Sequence, residues 1–95
     1  MPHYVYMLKT INGKYNKTYV GYTNNLKKRI ELHNKGKGAK STKGYKWSII
    51  YKKSFFTKND AMSYEYKLKN DRKKRLSIIK KNNDKKIKNS NNSSI

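Results

Sequence analysis

The sequence predicts a small α/β domain of the α+β kind, a three-stranded antiparallel sheet flanked by helices in the order β-β-α-β-α. Three observations carry this expectation. Two runs, Tyr4-Val5-Tyr6-Met7-Leu8 and Thr18-Tyr19-Val20-Gly21-Tyr22, are rich in β-branched and aromatic residues. A third run of that kind spans Trp47 to Phe55. Segments with apolar residues at helical spacing follow the second and third runs.

The first run alternates large side chains on both faces and reads as a buried strand. Asn12 and Gly13 are turn formers in the segment that follows, so the second run returns as the other arm of a hairpin longer than the tightest type. Thr23 or Asn24 can cap the next helix, in which Leu26, Ile30 and His33 stand at i, i+4 and i+7. Gly36, Gly38 and Gly44, interleaved with lysines, then give a flexible basic loop. Thr57, with Asp60 three residues on, resembles a capping box, and Ala61, Tyr64 and Leu68 mark the inward face of a helix that runs or restarts through Leu76 to Ile79. From Asn82 the composition collapses to Asn, Ser and Lys, which places a folded domain at 1–81 and a disordered tail at 82–95.

Ninety-five residues allow one small domain, and 9 Tyr, 2 Phe and 1 Trp supply a core that is short of aliphatics. With 25 Lys+Arg against 5 Asp+Glu, the formal charge of +20 exceeds what solubility requires and points to a polyanionic partner. Codon bias toward Lys and Asn inflates that charge without creating it. No apolar run reaches the roughly 20 residues that span a bilayer, so nucleic acid is favoured over lipid and no membrane partner is expected. Cysteine is absent, which excludes disulfides and thiolate metal sites and leaves no zinc module in the chain.

Hydrolysis of a phosphodiester needs an activated water, neutralisation of charge on the nonbridging oxygens, and help for the departing oxygen. Tyr6 and Tyr19 lie on neighbouring strands and can share a face, although sequence does not give the register. Depression of a tyrosine pKa by the basic surroundings would suit one of them to act as a base. Both are otherwise core tyrosines. Arg29, one of only three arginines, offers a planar fork that binds phosphate through two bonds, and His33 projects the same way one turn later. A lone histidine beside an apolar face is also often a satisfied structural residue. Glu65 places a carboxylate beside the inward face of its helix, where one oxygen ligand with waters and a substrate phosphate can hold Mg2+ or Mn2+. Its plain alternative is an i,i+4 pair with Lys69. Lys35, Lys37, Lys40, Lys43 and Lys46 read as a surface that tracks phosphates without reading bases. Tyr22 and Trp47 stack on exposed bases or fill the core, with core favoured for Trp47.

Val5-Tyr6 and Tyr19-Val20-Gly21, with Arg29-Ile30, His33-Asn34, the stretch Gly38 to Gly44, Trp47, Ala61 and Glu65-Tyr66-Lys67, together resemble the GIY-YIG nuclease superfamily. The likeness is closest to the short single-domain bacterial GIY-YIG proteins and to the nuclease domain of the Slx structure-specific endonuclease. Tyr4 departs from the signature, which usually has glycine there, and this bears on close strand packing at that position. The resemblance implies a divalent-metal-dependent DNA endonuclease selective for flaps, branches or nicks, acting in repair or recombination. It further implies Tyr6 as general base, Tyr19 as the residue positioning the scissile phosphate, Arg29 as transition-state stabiliser, His33 as assistant to the catalytic tyrosine, and Glu65 as metal ligand. The partners expected are DNA and, for targeting, a protein. The compartment expected is the cytoplasm of a bacterium, or the nucleus or a viral factory in a eukaryotic or viral setting. The alternative is a noncatalytic basic nucleic-acid-binding module on the same scaffold.

Overall fold

The computed structural model describes residues 2–11 and 17–93, with side chains through Asn83; the expected Asn12-Gly13 turn lies outside the described residues. The elements run β1 (His3–Thr10), β2 (Thr18–Thr23), α1 (Leu26–Asn34), β3 (Trp47–Phe55), α2 (Lys58–Asn70) and α3 (Arg72–Ser93), and a short 3-10 turn covers Lys40–Thr42. The β-β-α-β-α order holds, with one helix more at the end.

The sheet order is β2-β1-β3, both pairings antiparallel. As the central strand, β1 is covered on both faces, and Val5, Tyr6, Met7 and Leu8 are all fully buried. Alternation splits them between two cores. Val5 and Met7 join Val20, Ala61, Leu68 and Ile78 on the face covered by α2 and α3. Tyr6 and Leu8 join Trp47 on the other face, with Tyr19, Leu26 and Ile30 packed against them. Trp47 is therefore core, 3% exposed, with its indole N–H donated to the Thr42 carbonyl at 2.9 Å. Tyr4 pairs with Thr23 on one side and Ser54 on the other, so the departure from the signature does not interrupt the ladder.

The cap of α1 is Asn25 rather than Thr23 or Asn24. Asn25 is extended, with φ −142°, and its side chain accepts from the Lys28 N–H at 3.2 Å. Thr23 is still committed to β2, and its hydroxyl instead accepts from the Asn25 N–H at 3.1 Å. Thr57 caps α2 by accepting from the Asp60 N–H at 3.1 Å. The long helical segment restarts rather than runs through: α2 ends at Asn70, and the Asp71 carboxylate accepts from the Lys74 N–H at 3.0 Å to open α3. The α3 backbone continues to Ser93, past the point where composition places a disordered tail, with neither Gly nor Pro to stop it. Along it, the Asn83 Oδ1 accepts from Lys9 Nζ at 3.2 Å.

Candidate active site

Register decides which tyrosines meet. Tyr6 stands opposite Gly21, and Leu8 opposite Tyr19, so Tyr6 and Tyr19 lie diagonally on one face with ring centroids 6.3 Å apart. A Cβ at Gly21 would collide with the Tyr6 ring. The missing side chain is what lets the phenol lie over β2.

Helix α1 crosses this face and delivers His33, which is fully buried. Its Nε2 is 2.8 Å from the Tyr6 hydroxyl, and its ring is 4.9 Å from that of Tyr19. Its Nδ1 is 2.9 Å from the Thr42 hydroxyl. Arg29, one turn earlier on α1, also bears on the Tyr6 oxygen, and an arginine can only donate. The phenol proton is thereby directed to His33 Nε2, which must be the acceptor nitrogen. His33 then carries its own proton on Nδ1 and donates it to Thr42. The Thr42 hydroxyl in turn donates to the Ala39 carbonyl at 3.0 Å.

The electrostatics agree with that assignment. Burial lowers the His33 pKa, and the adjacent Arg29 charge adds to the shift, so the ring is neutral at pH 7. Burial pushes the Tyr6 phenol up to about 12; hydrogen bonding from Arg29 opposes this, while Tyr19 and Glu65 reinforce it. This corrects the expectation that basic surroundings depress Tyr6: in a site closed off from water, loss of hydration outweighs the one nearby cation. Hydrogen bonding to Tyr6 holds Arg29 still more firmly charged. The guanidinium also contacts the Gly38 carbonyl through Nη2 at 3.4 Å, and its Nε is buried with no hydrogen-bond partner among the described residues.

Glu65 stands apart from these four. Its helix packs on the opposite sheet face, through Ala61 and Leu68, and its carboxylate is 15% exposed and ion-paired with Lys69 at 3.2 Å. The i,i+4 pairing that sequence offered as the plain alternative is thus present. Glu65 sits on the flank of the buried stripe, near enough for its charge to act on the Tyr6 phenol. Among the described residues no three His, Cys, Asp or Glu side chains gather into a metal cage.

The basic loop is pinned more firmly than its glycines suggest. Thr42 is fully buried beneath it, and the Asn34 side chain clasps the Trp47 backbone, accepting from its N–H at 2.6 Å and donating to its carbonyl at 3.3 Å. Lys35, Lys37, Lys40, Lys43 and Lys46 are all exposed around this anchored turn. A Cβ at Gly38 would strike the His33 ring. Thr42, Gly38 and Gly21 are the site residues that sequence reading passed over, although all three lie inside the stretches that carry the resemblance. Tyr22 lies on the other face, where its hydroxyl is 2.8 Å from His3 Nδ1.

A family model described as the GIY-YIG catalytic domain matches residues 2–83. The UPF0213 protein YazA of Bacillus subtilis is 45% identical over 86 residues, covering 87% of this chain and 84% of that protein. The UPF0213 protein OB0043 of Oceanobacillus iheyensis is 44% identical over 68 residues, covering 70% of this chain and 76% of its own. A solution NMR structure of the UPF0213 protein BH0048 from Bacillus halodurans aligns at a TM-score of 0.48 and 36% identity, covering 84% of each chain. These relatives are bacterial, and no helix among the described residues is long and apolar enough to cross a membrane. A family match over most of the chain, joined by relatives of this similarity, shows that the chain belongs to the GIY-YIG family, a family of nuclease type.

Proposed function

We propose that the protein is a divalent-metal-dependent endonuclease that hydrolyses DNA phosphodiester bonds, with selectivity for structures such as flaps, branches or nicks and a role in repair or recombination in a bacterial cytoplasm. The observation that carries this reading is the buried Tyr6 hydroxyl, 2.8 Å from a neutral imidazole and beside a guanidinium.

A phenol whose pKa stands near 12 does not wait as a phenolate at neutrality. The arrangement suits a relay instead: the Tyr6 oxygen takes a proton from the attacking water as it passes its own to His33 Nε2. Thr42 holds the imidazole in the tautomer this transfer needs. Arg29 has an unsatisfied Nε–H and a fixed charge for the phosphate oxygens, where charge gathers as the bond breaks. Tyr19, diagonal to Tyr6, positions the phosphate. The donor chemistry of Glu65 fits a hard cation held by one carboxylate, substrate phosphate and water. Such an ion supplies charge neutralisation at the phosphate. The exposed lysines of the anchored loop track the flanking backbone, and their indifference to base identity is why selectivity falls on structure rather than sequence.

The test is metal-dependent nicking of flap, branched and linear duplex DNA by the parent and by Tyr6→Phe. Loss of product with retained binding supports the reading. Steeply salt-dependent binding with no product strand ends from the parent would instead leave a noncatalytic module on this scaffold.

A further inference from the structure

A groove of about 700 Å³ lies apart from the site just described. It lies on the same sheet face but on the other flank of α1, between that helix and the edge strand β3. Tyr4, Ile30 and Ile49 form its walls, and Lys27 and Lys52 stand at its rim. The three wall residues are half-buried and the two lysines exposed. Neither ammonium is ion-paired among the described residues, where the recorded pair is Glu65–Lys69.

Sheet register ties this groove to the reactive centre. Lys52 is the cross-strand partner of Tyr6, and Ser54 that of Tyr4, so the groove opens about one strand spacing, roughly 5 Å, from the Tyr6 backbone. The Tyr6 ring leans the other way, over Gly21. A register shift opposite Met7 and Leu8 leaves Ile50 as an extra residue in β3, which bends the edge and turns Ile49 to the α1 face while Tyr51 goes to the α2 face, where its hydroxyl is 2.6 Å from that of Tyr64. A hollow walled by aliphatic and aromatic side chains and rimmed by free cations is complementary to a nucleotide with an exposed base: stacking inside, phosphate at the rim. A paired base cannot enter, because its faces are already stacked in the duplex.

We propose that this groove binds the unpaired arm of a DNA substrate, seating one base against Tyr4 and the isoleucines and its phosphates on Lys27 and Lys52. The proposal rests on the nuclease reading for its ligand, and it gives that reading a physical source for structure selectivity.

The experiment measures anisotropy of a short labelled oligo-dT and of a blunt duplex of equal length, in EDTA so that nothing is cut. Tyr4→Ala is expected to weaken oligo-dT binding about tenfold and duplex binding less than about twofold, with Tyr4→Phe restoring the parent value. Lys27→Gln combined with Lys52→Gln, both exposed and harmless to folding, should reduce the salt slope on oligo-dT by about 1.4, the loss of two single-strand phosphate contacts. An unchanged slope overturns the proposal, whatever the fate of Tyr4→Ala. So does equal weakening on duplex and single strand. Displacement of oligo-dT by a poly-Glu peptide as readily as by unlabelled oligo-dT overturns it in favour of an acidic protein partner. If the parent never cleaves but binding follows this pattern, the groove stands and the nuclease reading falls. If cleavage depends on Tyr6 while the groove variants bind like the parent, the groove alone falls.

Discussion

The Tyr6 hydroxyl and His33 Nε2 are 2.8 Å apart, and both side chains are fully buried. That contact couples a group shifted toward the neutral phenol to one shifted toward the neutral imidazole, so both are set for transfer of one proton in one direction.

The pH dependence follows with a definite sign. Because the fold lowers the His33 pKa, it favours the neutral ring, and that stability is complete above the ordinary value of about 6.5 and lost as pH falls through the lower folded value. Cleavage should share this acid limb, with an apparent pKa below about 6.5 in kcat/KM. His33→Ala should cut kcat by about a hundred- to ten-thousandfold and abolish that limb. A limb that persists in His33→Ala excludes the relay.

At the alkaline end the direction reverses. The Tyr6 phenol is raised to about 12, so the stability it confers is present below about 10 and lost as pH rises toward 12. Thermal melts of the parent and Tyr6→Phe should diverge most between those values, where the parent's unfolded chain gains stability by ionising. Parallel curves across that window would show that Tyr6 is not held neutral.

Two glycines are expected to be intolerant of a single methyl. Gly21→Ala and Gly38→Ala push against the Tyr6 and His33 rings respectively and should each cost about 1 to 3 kcal/mol in denaturant titrations, with loss of cleavage. Gly44→Ala is the comparison: its φ of +88° imposes strain of about 1 kcal/mol, but a Cβ there meets open space. Cleavage should survive it.

Glu65 and Lys69 separate metal binding from ion pairing. Glu65→Gln should abolish cleavage in Mg2+ while changing stability by less than about 1 kcal/mol, because Lys69, the partner it loses, is half-exposed. Lys69→Gln removes the same pair and should leave cleavage near the parent rate. Equal loss from both substitutions would assign Glu65 to scaffold rather than metal.

Removing loop charge should act on affinity and not on chemistry. Lys40→Gln with Lys43→Gln is expected to lower the salt slope of duplex binding by about 1.8, at about 0.9 per phosphate, with single-turnover cleavage at saturating DNA unchanged. A fall in the saturated rate instead would place the loop in the chemical step.

Much of this geometry was legible from residue order. β3 was read at its observed bounds because Trp47 and Phe55 bracket a β-branched and aromatic run, and the Leu26, Ile30, His33 spacing gave the buried side of α1. The Tyr6–Tyr19 diagonal was not legible: a slip of one residue would send either ring to the opposite core, and only the tertiary pairing removes that ambiguity. Nor was the neutral state of Tyr6. Counting cations in the sequence predicts depression, whereas burial depends on α1 and the loop closing over the phenol. Thr42 escaped notice for a related reason: in a lysine-glycine segment its hydroxyl looks like one more solvated group until the fold turns it onto His33.

The two methyl-free positions beside the reactive rings change how this centre must be probed. Alanine scanning finds function by deleting atoms, and at Gly21 and Gly38 it can only add them. A survey that skips glycine would chart the donors and acceptors here and miss the empty space that lets them touch.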